Sequence, residues 1–161
     1  MDSPKFIVDI NVGKLARWLR MMGYDTVLFD HGDDGRMIRI ALDEGRVIVT
    51  RDTQMMKRRV ITSGHLRAVL VSGDKPEQQI KQVMNEMGLD SNFRPFSLCM
   101  ECNHPLEERS KAEVAGLVPP YVFKTQEHYV QCPNCFRVYW KGTHWQAMVR
   151  KLEGLGGDSS S

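Results

Sequence analysis

Lys5-Phe-Ile-Val-Asp9 is a short apolar run that ends in an acid, and its pattern recurs along the chain and indicates the fold. Val27-Leu-Phe-Asp30 and Val47-Ile-Val-Thr-Arg-Asp52 have the same form, and Ala68-Val-Leu-Val-Ser72 is a fourth apolar run. Each run is short and rich in β-branched or bulky residues, as strands buried on both faces are. These runs predict four strands of a parallel sheet.

Amphipathic helical patterns lie between the predicted strands. Residues 14–22, 34–44 and 76–88 each place apolar side chains on one helical face. A glycine follows each helical stretch, where a C-cap glycine belongs: Gly23, Gly45 and Gly88. Strands that alternate with helices form βαβ units, so we predict an α/β fold with a parallel sheet flanked by helices.

All four cysteines lie in two C-x-x-C pairs, Cys99-Met-Glu-Cys102 and Cys132-Pro-Asn-Cys135, which are separated by 29 residues. Two such pairs with no cysteine left over are typical of one tetrahedral thiolate site for zinc. A closed shell of four cysteines has no position for a water, so we expect a structural rather than a catalytic zinc. Two redox-active pairs are the alternative interpretation of the same spacing.

These patterns divide the chain of 161 residues into two predicted parts. We expect an α/β domain over residues 1–95 and a small zinc ribbon over residues 96–161. The break in pattern at Asn92-Phe-Arg-Pro95 is the predicted junction. In the ribbon we predict a short last helix over residues 146–153, followed from Gly154 by a frayed, Gly/Ser-rich tail.

The composition limits which binding partners and which cellular compartment we expect for this protein. The net charge is only +2, and basic and acidic residues balance in both parts (15 against 13 in residues 1–95, 7 against 7 in residues 96–161). Any nucleic-acid surface must therefore be a local patch. No apolar run approaches the roughly 18 residues of a membrane span, and the N-terminus lacks the pattern of a signal peptide. Because C-x-x-C thiolates suit a reducing compartment, we expect a cytoplasmic protein without a membrane partner.

Acidic side chains follow three of the four predicted strands. Asp9, Asp30 and Asp52 end the first three runs, and Asp33 and Asp34 open the next helix. Sites of open parallel sheets lie beyond the carboxyl ends of the strands, and carboxylates that converge there repel one another unless a cation is present. Hard oxygen ligands suit Mg²⁺ or Mn²⁺, which would serve phosphodiester cleavage. For each acid alone, a helix cap or loop role is an equal alternative, and capping by itself would account for Asp34.

Basic residues lie close to these acids in the sequence. Lys14, Arg17 and Arg20 form a stripe on the first predicted helix, Arg51 precedes Asp52, and Lys57-Arg-Arg59 is a second cluster. A stripe of this kind is commonly a solvated helix face. Beside a carboxylate site it can instead hold a phosphate backbone.

Three strings of the chain are specific enough to compare with a family: Gly13-Lys-Leu-Ala-Arg-Trp-Leu-Arg20, Val49-Thr-Arg-Asp52 and Tyr139-Trp-Lys-Gly-Thr-His144. They resemble the PIN-like ribonuclease domain with a C-terminal zinc ribbon, which also occurs at the C-terminus of the Mut-seven type exoribonucleases. The resemblance implies a PIN-like nuclease domain over residues 1–95, followed by the ribbon. It also implies a metal-dependent ribonuclease activity on RNA.

The resemblance carries over roles for individual residues. The implied catalytic acids are Asp9, Asp34 and Asp52, which favours Asp34 over its neighbours Asp30 and Asp33. Asp9 and Asp52 are then the expected ligands of a catalytic Mg²⁺ or Mn²⁺, with Asp34 assisting. The basic residues that match the motifs, and that we expect to contact RNA phosphates, are Lys14, Arg17, Arg20 and Arg51. The implied zinc ligands are Cys99, Cys102, Cys132 and Cys135.

The leading hypothesis is a metal-dependent ribonuclease whose zinc ribbon extends the RNA-binding surface. The ribbon residues expected to contribute are Tyr139, Trp140, Lys141 and His144, because aromatic side chains stack on unpaired bases. The second hypothesis is a non-catalytic RNA-binding adaptor in an RNA-processing or ribosome-associated complex. A third, a phosphoryl-accepting switch domain, requires a lysine and a hydroxyl near the acids. Ser72 could supply the hydroxyl, but no strand-end lysine follows it at an obvious position.

Overall fold

A parallel sheet of four strands forms the first part of the chain. The strands are β1 (Lys5–Asp9), β2 (Thr26–Phe29), β3 (Arg46–Thr50) and β4 (Ala68–Leu70), in the order β2-β1-β3-β4. Every strand falls on a predicted run, so the predicted parallel α/β sheet is confirmed. The structure is a computed structural model that describes residues 3–89 and 94–158. Two residues of the predicted junction, Asn92 and Phe93, lie outside the described residues.

Four helices flank this sheet: α1 (Lys14–Met21), α2 (Asp34–Glu44), α3 (Arg59–Thr62) and α4 (Pro76–Met87). From β1 the chain passes through α1 to β2, which pairs with one side of β1. It then returns through α2 to β3, which pairs with the other side of β1. Because such crossovers are right-handed, the change of direction puts α1 and α2 on opposite faces. Gly45 and Gly88 end α2 and α4 with φ of 66°, a conformation that glycine adopts without steric cost.

Alternate side chains of the strands supply two separate cores, as the twofold repeat of a strand requires. Phe6, Val8 and Val49 pack with α1 and α4 on one face. Ile7 and Ile48 pack with α2 on the other face. The central strands are therefore buried on both sides, which explains why their sequences are continuously apolar.

The second part of the chain is an antiparallel ribbon of three short strands. The strands are β5 (Glu107–Arg109), β6 (Tyr129–Gln131) and β7 (Val138–Tyr139), and the short helix α5 (Pro120–Thr125) lies in the connection between β5 and β6. A small core made by the connection and β6 supports the ribbon: Val114, Val118, Val122 and Tyr129.

The last helix differs from the prediction. It is α6 (Thr143–Asp158), which begins earlier than residue 146 and continues through the segment from Gly154 that we expected to be frayed. Met148 and Leu152 are buried in the same core as α4, so tertiary packing anchors this helix. Ser159 to Ser161 of the expected tail lie outside the described residues. In the described ranges, no helix is long and apolar enough to cross a membrane.

The ribbon packs against the sheet domain through the C-terminal end of α1. Arg20 is only 7% exposed. It donates to the carbonyl of Thr26 at 2.9 Å, of Met100 at 2.9 Å and of Glu101 at 3.2 Å. Arg20 thus joins α1, the start of β2 and the first cysteine pair. The expected RNA contact of Arg20 stays a prediction; in the structure its guanidinium donates to these three carbonyls, and the ribbon covers this part of α1.

A second polar contact joins the ribbon to the edge strand β2. The side chain of Asn103 accepts from the backbone N–H of Thr26 at 2.9 Å and donates to the carboxylate of Asp25 at 2.7 Å. That carboxylate also pairs with the buried Arg46 at 2.9 Å. Asn103 therefore satisfies a donor of an edge strand that would otherwise lack a partner.

Replacement of Arg20 tests whether the ribbon is held by this guanidinium. Arg20→Ala leaves three carbonyls without their donor and should lower the free energy of unfolding by about 3 kcal/mol, measured by urea denaturation. Arg17→Ala on the same helix is the matched control. Its ion pair with Glu101 is half-exposed, so the control should lose at most about 1 kcal/mol. Equal losses in the two variants would contradict the structural role of Arg20.

The contact between Asp25 and its two donors predicts an acid-sensitive stability. Burial alone would raise the pKa of Asp25, but hydrogen bonds from Asn103 and Arg46 outweigh it and lower the pKa below its ordinary value. A carboxyl whose pKa is depressed by folding stabilises the protein above its unfolded pKa of about 3.9, and this contribution is lost as the pH falls through the folded value. Asp25→Asn should therefore flatten the fall in melting temperature between about pH 5 and pH 2. An unchanged pH profile would show that Asp25 does not contribute.

Candidate functional site

The four cysteines form a compact site at the interface of the ribbon and α1. Their sulfurs all lie within 4.8 Å of one another. Cys99 and Cys135 are 3.6 Å apart at sulfur, and Cys102 and Cys132 are 3.3 Å apart. Thiolates that bind zinc tetrahedrally at about 2.3 Å lie about 3.8 Å from one another, so the spacing fits one zinc ion. It does not fit disulfides, whose sulfurs are about 2.05 Å apart.

Both cysteine pairs have the same backbone geometry. The residue after the second cysteine, Asn103 or Phe136, has a positive φ of 66° or 67°. Its N–H donates at 2.9 Å to the carbonyl of the first cysteine of the pair, Cys99 or Cys132. This tight turn brings the two sulfurs of each pair to one side. A left-handed conformation is tolerated by asparagine but uncommon for phenylalanine, so the turn at Phe136 is held by its surroundings.

Further hydrogen bonds favour the thiolate form of the cysteines. Burial opposes ionisation of Cys135, but hydrogen bonds from the backbone and side chain of Arg137 outweigh it and lower the pKa of this thiol to about 6. The hydroxyl of Tyr139 lies 3.1 Å from the sulfur of Cys99. Burial and this contact raise the pKa of Tyr139 above its ordinary value, so it remains a neutral donor. Thiolates are the form that binds zinc.

The carboxyl ends of β1 and β3 form the second candidate site. The chain leaves β1 toward one side of the sheet and reaches β3 from the other, so the switch point of the topology lies between these two strands. Ligands of open parallel sheets bind at this position. Asp9 ends β1, and Asp52 follows β3 by two residues. The structure therefore brings these two acids to the same edge on neighbouring strands.

Thr50 links the two acids, and the sequence analysis did not single it out. Its hydroxyl is fully buried; it donates to the carboxylate of Asp9 at 2.8 Å and accepts from the backbone N–H of Asp52 at 3.0 Å. The carboxylate of Asp52 in turn accepts from the N–H of Gln54 at 2.9 Å. The second carboxylate oxygen of Asp9 and that of Asp52 take no part in these hydrogen bonds. A threonine at the end of a strand and directly before Arg51-Asp52 was the signal that could have identified Thr50.

Asp34 lies apart from this pair, in the first turn of α2. Its neighbour Asp33 is the helix cap, since the Asp33 carboxylate accepts from the N–H of Arg36 at 2.9 Å. The expectation that capping could account for Asp34 is therefore wrong. Within the described ranges, the carboxylate of Asp34 has no hydrogen bond or ion pair, and the cysteines are the only group of three or more His, Cys, Asp or Glu placed to hold a metal. The three acids do not form a closed cage.

Of the four basic residues predicted to contact RNA, Lys14, Arg17 and Arg51 are exposed, whereas Arg20 is buried against the ribbon. Lys14 and Arg17 are exposed on α1, and Arg17 pairs with Glu101 at 3.2 Å. Arg51 is exposed and lies 3.8 Å from Asp74, while its N–H contacts Asn11 at the end of β1. A cation of the second cluster, Arg58, is near the first turn of α2, 4.0 Å from where a Cβ on Gly35 would lie. Lys14, Arg17, Arg51 and Arg58 thus lie near the carboxyl edge of the sheet, which carries the acids, or on or beside the helices that start there.

The ribbon residues expected to contact RNA line a cavity of about 510 Å³. The cavity lies between α1, the ribbon, α5 and the start of α6, and Tyr139, Trp140, Lys141 and His144 all contribute to its lining. Tyr139 is held by its contact with Cys99, and Trp140 packs partly on the small ribbon core. Lys141 and His144 are exposed.

The fold and the two sites define the class of this protein: an α/β domain with acids at the switch point of its parallel sheet, joined to a four-cysteine ribbon. The family model described as the Mut7-C RNAse domain matches residues 4–152. The match covers nearly the whole chain, so the chain belongs to the Mut7-C RNase domain family. No curated protein and no solved structure matches the sequence significantly. The family's description is that of a ribonuclease domain with RNA as its substrate.

The donor set of the four-cysteine site predicts one zinc ion per chain. Elemental analysis of the purified protein should give a zinc-to-protein ratio near one, and a strong chelator should lower the melting temperature, because structural zinc contributes to folding. Cys102→Ser should lose most of the zinc. His104→Ala and His144→Ala are the controls and should keep it, since the four thiolates complete the shell. Retention of zinc by Cys102→Ser, or loss from a histidine variant, would contradict this ligand set.

Proposed function

We propose that this chain is a metal-dependent ribonuclease that cleaves RNA phosphodiester bonds at the carboxyl edge of its sheet, with Mg²⁺ or Mn²⁺ bound by carboxylates. The observation that carries the proposal is the pair of acids on neighbouring strands at the switch point, joined through the buried hydroxyl of Thr50. Family membership supports the same class of activity. The substrate is proposed to be RNA, and the compartment cytoplasmic.

Asp9 and Asp52 are the proposed metal ligands. Mg²⁺ is commonly bound by one or two carboxylates, with waters and substrate phosphates completing its shell, so two acids suffice. A bound Mg²⁺ or Mn²⁺ would orient and activate a water and offset charge on the scissile phosphate. Thr50 holds the Asp9 carboxylate and the backbone of Asp52 in place, and it acts as a positioning residue for both acids.

Asp34 is the acid proposed to position the attacking water. Because Asp33 performs the capping of α2, the carboxylate of Asp34 is not used by the helix. It also remains partly exposed. An acid in this state can accept a hydrogen bond from a water without first giving up another partner.

The proposed phosphate contacts are Lys14, Arg17 and Arg51. They are exposed cations on α1 and directly after β3, which border the acids. Charges of this kind attract the RNA backbone and make the affinity dependent on salt. Arg20 is excluded from this set because its guanidinium is buried in the interface with the ribbon.

A non-catalytic RNA-binding adaptor is the alternative function. It is favoured by one observation: among the described residues, the acids do not form a group of three potential metal ligands. An adaptor would bind RNA through its cations and would not depend on the carboxylates. Its affinity for RNA would survive Asp9→Asn and would fall steeply with salt, in proportion to the phosphates contacted.

Cleavage of a labelled single-stranded RNA in the presence of Mn²⁺ tests the ribonuclease. Asp9→Asn and Asp52→Asn should each slow cleavage more than about 100-fold, which exceeds the usual effect of losing an outer-shell partner. Asp43→Asn, an exposed acid near the end of α2, is the matched control and should cleave as the wild type does. Unchanged cleavage by Asp9→Asn would refute the metal site. A wild type that binds RNA but never cleaves it would favour the adaptor.

Thr50→Val tests the link between the two acids. Valine keeps the shape of the buried side chain but removes the hydroxyl, so the Asp9 carboxylate loses its donor and the backbone N–H of Asp52 loses its acceptor. We expect cleavage to slow about 10–100-fold, with partial rescue at raised Mn²⁺ if metal affinity is the affected step. Thr50→Ser keeps the hydroxyl and should retain most of the activity. If the two variants behave alike, packing rather than hydrogen bonding explains the role of Thr50.

A further inference from the structure

The cavity beside the four-cysteine site lies away from the acids. β1 ends at the carboxyl edge of the sheet, α1 begins there, and α1 returns to the amino edge, where Thr26 pairs with Phe6. The ribbon packs at this amino edge through Arg20 and Asn103. The acids and the cavity are therefore near opposite ends of α1. With eight residues at about 1.5 Å each, that helix spans about 12 Å.

The lining of the cavity is both aromatic and basic. Its aromatic members are Phe96, Tyr121, Tyr139, Trp140 and Trp145. Trp145 stacks on Phe96 with ring centroids 5.0 Å apart, and the amine of Lys141 lies 5.5 Å from the Trp145 ring. None of the described residues that line the cavity is an aspartate or a glutamate, whereas Arg17, Lys141 and His144 are among them.

Two side chains of the lining are not required by the fold. Tyr121 is 74% exposed, and its ring has no stacking partner among the described residues. Lys141 has no ion pair within the described part of the chain. The exposed ring of Tyr121 and the amine of Lys141 line the same cavity, whose described lining has no acid. An aromatic ring and a cation that share a cavity suit a planar ligand that carries a negative charge.

We propose that this cavity binds an unpaired nucleobase of RNA, with Tyr121 stacking on the base and Lys141 contacting its phosphate. The volume of about 510 Å³ lies in the range of small-ligand sites and accommodates a single nucleotide. Stacking tolerates any base because every base has a π face, so the site anchors a strand without reading its sequence. An apolar peptide is the rival occupant, but the cations and the lack of acids favour the nucleotide.

The position of the cavity extends the proposed ribonuclease function and, in this part, rests on it. A strand whose base lies in the cavity passes Arg17, which lines the cavity, and then Lys14 at the start of α1. From there it reaches the edge that carries Asp9. The anchored base would thus be a few nucleotides from the cleaved bond, and the cavity would determine where along an unpaired strand the enzyme cuts.

Binding of a fluorescein-labelled single-stranded RNA octamer tests the cavity without requiring cleavage. The measurement uses full-length Asp9→Asn protein with its zinc and no added divalent ion. Adding Tyr121→Ala should weaken binding at least about 5-fold, the smallest effect of losing one base–aromatic stack. Leu117→Ala is the matched control, because Leu117 is 58% exposed in the connection that precedes α5 but does not line the cavity. It should change the dissociation constant less than about 2-fold.

An abasic octamer separates base stacking from phosphate attraction. This probe keeps the phosphates, so it should bind more weakly than RNA and should be insensitive to Tyr121→Ala. Lys141→Gln should weaken binding of both probes and reduce the salt dependence. Lys124→Gln, an exposed lysine of α5 outside the lining, should not. Crosslinking of 4-thiouridine in the octamer should map to the peptide that contains Tyr121 or Trp145.

The outcomes distinguish this inference from the ribonuclease proposal. Equal binding by the Tyr121→Ala and Leu117→Ala proteins, or crosslinks confined to peptides outside the cavity, would overturn the nucleobase site. So would an apolar peptide that fills the cavity and is not displaced by the octamer. If the wild type fails to cleave RNA while binding still depends on Tyr121, the ribonuclease proposal falls and the base site stands. If cleavage occurs but the cut position and binding ignore Tyr121, the base site alone falls.

Discussion

The buried guanidinium of Arg20 is the contact on which the arrangement of the molecule depends. A cation with so little exposure is stable only when its donors are used, and Arg20 uses them on carbonyls of β2 and of the first cysteine pair. One side chain therefore fixes the distance and angle between the sheet and the ribbon. The apolar cluster formed by Leu19, Met100 and Leu152 crosses the same boundary. This shared apolar cluster packs the sheet domain and the ribbon together at their interface.

Because the ribbon packs on the C-terminal end of α1, the carboxylates and the cysteines lie near opposite ends of this helix. The start of the helix faces the acids at the switch point of the sheet, and its end faces the cysteines and the aromatic cavity. The four cysteines thus lie near the end of α1 that contacts the ribbon, away from the carboxylates. Sulfur donors of this kind are soft ligands, whereas carboxylate oxygens are hard ligands that select different ions.

The sheet and the cysteine site could be predicted in detail because local patterns determine them. Strands buried on both faces must be apolar, and four thiols in two short turns can meet without knowledge of the rest of the chain. The acids were harder to assign. Asp33 and Asp34 are equivalent in the sequence, and only the hydrogen bond to Arg36 shows which one is the cap. Thr50 was missed because its importance comes from a contact between β3 and β1, 41 residues apart in sequence.

The sequence alone was enough to recognise, in chain order, the four strands of the sheet and α1, α2 and α4, as well as the likeness to a ribonuclease family and the two cysteine pairs. Each of these depends on neighbours along the chain. The tertiary structure decided which of the charged residues remain available. When α1 is considered alone, Arg20 belongs to an exposed basic stripe, but in the folded protein it is buried because the ribbon folds over it. The cavity has the same origin, because its walls come from α1, the ribbon, α5 and α6 and exist only after these elements pack.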